Sequence, residues 1–372
     1  MNDDACLPIL ALNAGSSSLK FGVYLVGFHT SRMLVSGAAE AAESGHIAFV
    51  ATDADGTVLT SDSRAGESPY AAIDRIAELL VAQRLPTIAA VGHRIVHGGP
   101  LCRHHTLIDA NVMQHLESAK VFAPLHVPPA LSLLKFAQRQ FPDAPQVACL
   151  DTAFHTTLPD VARTLPLPKT LRGQGIERYG FHGLSCESIV RQFGKEVPKR
   201  LVIAHLGHGA SVTAVANGRS IDTSMGLTPS SGVMMSTRCG DIDPGVLAFV
   251  AREHDYNADA LERLIYQQSG MLGVSGVSGD MRKLRESAAS NPDAALAISM
   301  FCYSVKKQIA AMAAVLGGVD ALVFTGGIGE NDAVSRADIC EGLAIIAEHA
   351  AVHVIPAHED EQIALHTWHL TH

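Results

Sequence analysis

Three arginine–histidine clusters carry the side chains of this sequence that could do chemistry together. GHRIVHGG sets Arg94 between two histidines, YGFHGLS carries His182, and MMSTRCGDIDPG sets Arg238 in a loop dense in Gly, Ser, Thr and Asp. A guanidinium fork binds carboxylate or phosphate through two parallel hydrogen bonds, and an imidazole can donate to a phosphoryl oxygen. Each cluster alone fits an ordinary structural residue. Converged in one cleft, two arginines, a histidine and a magnesium ion would suffice for phosphoryl transfer, where catalysis is positioning plus cationic stabilisation of three equatorial oxygens. Asp151 closes ACLD at the end of an apolar run. It reads either as a turn cap or as a ligand at a strand's C-terminal end, and spacing does not choose between them.

Glycine-bearing loops would supply the rest. ILALNAGSSSLKFGVY, Ile9 to Tyr24, reads as two paired strands joined by a hydroxyl-rich loop ending in Lys20. The loop is longer than the two-residue turn of a tight hairpin and can aim several N–H groups at an anion, although a plain surface hairpin fits equally. RLVIAHLGHGASVTAV, Arg200 to Val215, repeats the plan of strand, loop and strand, a weak internal duplication. Two such halves facing each other would line a cleft able to hold a polyphosphate. TGGIGEN, Thr325–Asn331, is a third glycine loop, with neither the dinucleotide nor the Walker spacing.

The elements that must position these residues follow from periodicity. Strands are expected over Leu7–Asn13, Leu19–Val26, Met33–Ala39, His46–Ala51, Thr57–Ser61 and Ile88–Val91, with GHRIVHGG as the loop after the last. QVACL reads as a buried strand and Ala321–Phe324 as another. Helices are expected over Pro69–Gln83, Ala110–Ala119, Pro128–Gln140 and Asp293–Leu316. HTWHLTH puts His366, His369 and His372 on one helical face, read as a frayed surface tail rather than a metal site.

The chain of 372 residues with 47% hydrophobic content suits two domains with sizeable cores. A formal charge of −9 disfavours a nucleic-acid partner, and no apolar run is long enough for a bilayer. The start, MNDDACLP, lacks the features of a signal peptide, so a cytoplasmic protein is expected. Seven scattered cysteines without Cys-x-x-Cys spacing are expected as reduced thiols.

NAGSSSLKF, VGHRIVHGG, APLHVPPA, DTAFHTTLP, YGFHGLS, HLGHGASV, DTSMGLTP, MMSTRCGDIDPG and FTGGIGEN, in this order over nearly the whole chain, resemble the acetate and propionate kinases. That resemblance implies an α/β fold of two duplicated actin-like, ribonuclease H-like domains with the active site in the cleft between them. The first would span 1–150, rejoined by 357–372, and the second 151–356. It implies reversible transfer from ATP to acetate, giving acetyl phosphate and ADP, with Mg2+ or Mn2+. By motif match, Asn13 and Glu359 would be metal ligands, Lys20 a phosphate contact and Arg94 the partner of the acyl carboxylate. Asp151, His126, His182 and Arg238 would be the catalytic set. His205, Leu206, Gly207, His208 and Gly209 would form the second phosphate loop. Asp280, Met281 and Arg282, with Gly327, Ile328, Gly329, Glu330 and Asn331, would form the adenosine pocket. Val96, Leu125, Phe181 and Pro229 would set acyl size, favouring acetate over propionate. A homodimer is likewise implied.

Some positions depart from the family pattern. His208 stands for the usual Asn, Val127 for Asn, Ser230 and Ser231 for Leu-Glu, and Cys239 for Ser. His208 raises a pyrophosphate-using variant as an alternative, beside a propionate-preferring kinase and a nucleotide-binding module without transfer.

Overall fold

The structure, a computed structural model, describes residues 6–15, 18–41, 45–65, 72–343 and 350–372. Ser16 and Ser17 of the first loop, and the first three residues of the helix expected from Pro69, lie outside the described residues. The chain forms two compact units: Met1–Ala153 with His358–His372, and Phe154–Ala357. No helix among the described residues is long and apolar enough to cross a membrane, and none of the seven cysteines is in a disulfide.

The first unit is built on an eight-stranded sheet. Its strands are β1 (Leu7–Ala14), β2 (Ser18–Val26), β3 (Ser31–Ala41), β4 (His46–Asp53), β5 (Val58–Ala65), β6 (Ala90–Ile95), β7 (Thr106–Leu107) and β8 (Gln146–Leu150). They lie in the order β5-β4-β3-β2-β1-β6-β8-β7. β1 to β5 form an antiparallel meander, while β1, β6 and β8 run parallel. One face packs Leu10, Leu12, Phe21 and Val23 against Ile73 and Ile76 of the helix Ala72–Ala82, with Phe21 stacked on Phe49 at 5.5 Å between centroids.

The other face receives the C-terminal helix, Glu359–Thr371. Side chains alternate along a strand, so Ala11 and Asn13, Gly92 and Arg94, and Cys149 and Asp151 share this face. The small member of each pair makes room for the helix. A Cβ on Gly92 would lie 2.1 Å from Thr367 Oγ1. The polar member sits at or just past the C-terminal end of its strand. Thr367 and Ile363 are buried and the helix runs through Thr371, so the HTWHLTH segment is an ordered part of the unit and not a frayed tail. His366 meets the ring of His105 at 3.8 Å.

β6 also corrects the expected strand Ile88–Val91. It runs through His93 and Arg94, which were placed in a loop. A parallel strand covered on both faces need not alternate in polarity, and inside the sheet His93 Nε2 lies 2.7 Å from Gln146 Oε1.

The second unit has β9 (Arg200–Leu206), β10 (Ala210–Ala216), β11 (Arg219–Thr223), β12 (Ala321–Thr325) and β13 (Ala351–Val354), ordered β11-β10-β9-β12-β13. β9, β10 and β11 form an antiparallel meander, and β9, β12 and β13 run parallel. This is the plan of β3-β2-β1-β6-β8, so the weak duplication of the sequence is a duplication of topology. One face packs Leu201, Ile203 and Val323 against Cys186 and Ile189 of the helix Gly183–Phe193. The long helix Pro292–Leu316 lies along β9 and β10.

Each unit holds a buried histidine that is kept neutral. Burial holds His93 and His155 at a pKa of about 4, against the hydrogen bonds each ring makes. A histidine neutral when folded gains its proton only on unfolding, so stability present above the ordinary value of about 6.5 is lost as pH falls towards 4. At pH 5 the expected loss is about 2 kcal/mol per histidine relative to pH 7. Thermal unfolding at the two pH values checks this; unchanged midpoints for both units would contradict it.

Candidate active site

In the first unit the polar ends of β1, β6 and β8 meet the first turn of the C-terminal helix. Arg94 donates from Nε to Asp151 Oδ2 at 2.8 Å and from Nη2 to the same oxygen. Its Nη1 donates to Asn13 Oδ1 at 3.2 Å. Asn13 Nδ2 donates in turn to Glu359 Oε2 at 3.0 Å and Asp360 Oδ1 at 2.9 Å. The face derived above thus carries one connected network, Asp151–Arg94–Asn13–Glu359/Asp360. Lys20 pairs across the sheet with Asn13 and is exposed.

The electrostatics follow from burial. Burial opposes the charge on Arg94, but Asp151 and Glu359, with Asp360, outweigh it and hold the guanidinium protonated. Burial pushes the Asp151 carboxyl up, with Arg94 pulling against it. Asp151 is fully buried, and among the described residues its Oδ1 has no hydrogen-bond partner. It is therefore no surface turn cap. Burial also raises Asp360, opposed by Asn13 and reinforced by Glu359. Asp360 was not singled out from sequence; its signal was the acidic run Glu359–Glu361 opening a helix. Val96 is buried, Leu125 is half-buried, and His126 occupies the N-cap position of the helix Val127–Gln140.

In the second unit His182 N-caps the helix Gly183–Phe193 at φ +57°, a left-handed conformation. Its Nδ1 lies 2.9 Å from Ser211 Oγ on β10. His205, at the end of β9, has Nδ1 2.8 Å from Ser185 Oγ. The two rings stack at 4.2 Å. β9 and β10 are joined by Gly207–Gly209, closed by a bond from Gly207 N to Gly209 O of 2.9 Å. A Cβ on Gly209 would lie 3.2 Å from His182 Nε2 and 3.4 Å from Arg238 Nη1. Both donors therefore border the loop, and a side chain at Gly209 would stand between them. Arg238 is itself fixed by a bond from Nη1 to Pro229 O of 2.9 Å, and its loop is tied to the Gly207–Gly209 loop through Ser236 N and His208 O at 3.3 Å. Burial and then the Arg238 charge lower the His208 pKa. Phe181 and Pro229 are buried.

The segments expected to receive adenosine are both helix starts. TGGIGEN was read as a loop, but Gly326–Asn331 is a short helix following β12. Glu330 Oε1 accepts from Gly326 N at 2.9 Å and Ala357 N at 3.2 Å, which secures the first turn. Asn331 Nδ2 bonds Gly327 O at 3.0 Å. Asp280 caps the helix Met281–Ser287, and Arg282 pairs with it and pulls its pKa down to about 2. Met281 is buried and Leu206 is fully buried; Ile328 is half-buried. The two segments converge because Arg285 bonds Asp332 at 2.8 Å and Ser335 at 2.8 Å.

Residues 8–357 match the profile of the acetokinase family. The chain belongs to the acetokinase family. Among its relatives, an acetate kinase of Rhodopseudomonas palustris is 39% identical over 394 residues, covering 97% of this chain and 98% of that one. An acetate kinase of Chloroherpeton thalassium is 42% identical over 360 residues, covering 90% and 86%. Among solved structures of acetokinases, a propionate kinase of Francisella tularensis is similar at a TM-score of 0.90 and 35% identity, covering 98% of this chain and 100% of that one. The acetate kinase of Porphyromonas gingivalis gives 0.85 and 33%, with 98% and 100% covered. The chain is accordingly a phosphotransferase of the α/β class expected from its motifs.

Proposed function

We propose that the protein transfers the terminal phosphoryl group of ATP reversibly to acetate, giving acetyl phosphate and ADP. One acetate oxygen forms the new bond to phosphorus while the bond to the ADP oxygen breaks. Acetate is already ionised at neutral pH, so no general base is needed. The first unit supplies Arg94, held by Asp151, to grip the acyl carboxylate, with Val96 and Leu125 against the methyl group. The second supplies His182, Arg238 and the Gly207–Gly209 loop to hold phosphate oxygens, with Phe181 and Pro229 as its apolar contribution. Met281, Ile328 and the backbone of Gly327–Gly329 receive the adenosine. The observation that carries this reading is the pair of donors, His182 Nε2 and Arg238 Nη1, bordering Gly209. A developing phosphoryl charge needs that arrangement.

A divalent ion fits the first unit's network. Glu359 and Asp360 are adjacent carboxylates with Asn13 between them, a set of hard oxygen donors of the kind magnesium prefers. Burial first, and then the neighbouring Glu359 charge, raise the Asp360 carboxyl, and a bound cation would oppose both. These residues would hold Mg2+ or Mn2+, whose charge would offset that of the phosphates.

The relatives named acetate kinases favour acetate, and the similar propionate kinase keeps propionate as a slower second substrate; one methylene discriminates by only about 1–3 kcal/mol. Trapping acyl phosphate as hydroxamate tests the reading, with acetate against propionate and ATP against pyrophosphate. Acetyl hydroxamate with magnesium and ATP is expected. Its absence would leave a nucleotide-binding module, and product only with pyrophosphate would make His208 the residue that changed the donor. A homodimer and a cytoplasmic, ATP-supplied setting belong to this reading. Apolar side chains exposed on Pro244–Glu253 (Val246, Phe249) and on Pro292–Leu316 (Leu296, Met300, Tyr303) support the dimer, which light scattering would size.

A further inference from the structure

We propose that Ser185 and Ser211 are positioning residues that fix both stacked imidazoles, His182 and His205, in the tautomer that carries its proton on Nε2. The inference rests on the reading of these rings as phosphate-facing donors.

The four residues form a cross-linked square. His182 and Ser185 belong to the start of the helix Gly183–Phe193, and His205 and Ser211 face each other in the β9–β10 register. Each histidine is held by the serine of the other element, at 2.9 Å and 2.8 Å. Both serines are fully buried, and among the described residues neither hydroxyl has another hydrogen-bond partner.

That isolation decides the direction of the bond. If Nδ1–H donated to the serine oxygen, the hydroxyl proton would be a buried donor without an acceptor, which costs more than an unused lone pair. The favourable arrangement has Oγ–H donating to Nδ1, which leaves the ring's proton on Nε2. For His182 that nitrogen borders Gly209 beside Arg238, and for His205 it is turned towards Gly207. Both rings then donate to phosphate oxygens while uncharged. Two neutral rings can stack at 4.2 Å beside an arginine without the repulsion that two imidazoliums would add.

The test separates this idea from the kinase reading because its first readout needs no substrate. In protein labelled with 15N-histidine, with signals assigned through His182→Gln and His205→Gln, long-range 1H–15N spectra should show protonated Nε2 and unprotonated Nδ1 at both positions. Ser211→Ala should admit the other tautomer at His182 and lower turnover about 10- to 100-fold, as for other partners that orient a functional ring. The KM for acetate should not move, and Ser211→Thr should restore both signals and turnover. Ser185→Ala should do the same at His205. A wild-type Nδ1–H signal at either ring would overturn the proposal, as would a tautomer change without loss of turnover. If the wild type made no acetyl phosphate, the kinase reading would fail while the tautomer assignment stood or fell on the spectra.

Discussion

Arg238→Ala is expected to lower turnover about 10²- to 10³-fold, the loss seen when one preorganised donor to a developing oxyanion is removed. Arg238 is held by Pro229 O, and its loop is bonded to the Gly207–Gly209 loop through Ser236. Its guanidinium is thus in place before any charge develops, and needs no reorganisation when it does. Losing the Pro229 bond alone costs about 1 kcal/mol, so the fold should survive and thermal unfolding should change little. The KM for acetate should also change little. Arg238→Lys should recover only part of the loss, because an ammonium lacks the planar fork. Near-normal turnover in the alanine variant would remove Arg238 from the mechanism.

Arg94→Ala should act differently, on acetate and on stability together. Its KM for acetate should rise far more than its KM for ATP, if the lost group pairs with the acyl carboxylate as proposed. The same change strands Asp151, whose carboxylate is fully buried and, among the described residues, takes both of its hydrogen bonds from Arg94. Leaving one member of a buried pair uncompensated costs about 3–5 kcal/mol. The double variant Arg94→Ala/Asp151→Ala should regain much of that stability without regaining acetate affinity. Steady-state kinetics with each substrate varied, beside denaturant unfolding, separates the two effects. Equal increases in both KM values would contradict the carboxylate role of Arg94. A double variant no more stable than the single one would contradict the stranded charge.

The two variants differ because the residues sit in differently built places. Arg94 stands on a strand inside a sheet, where its charge must be paired for the sheet to close. Arg238 stands in a loop, where the carbonyl of Pro229 holds it. Sequence placed both in loops beside glycines, and it was right about Arg238 alone. GHRIVHGG misled because a strand buried on both faces shows no alternation. TGGIGEN misled for another reason. Glycine is a poor helix former, yet the Glu330 carboxylate closes the first turn, a local contact that propensity does not count.

What the sequence determined by itself was the inventory and much of the plan. The order of motifs marked the family. The repeated strand–loop–strand stretches anticipated the duplication. What only the tertiary structure decided was which groups touch. Nothing local in Glu359 or Asp360 says that Asn13, more than 300 residues away, will bond both. Nothing local in Ser185 says that it will meet the ring of His205 from a helix packed on β9. Those contacts depend on sheet register and on the close approach that Gly92 permits. Both arise from packing at long sequence separation, which periodicity along a chain does not record.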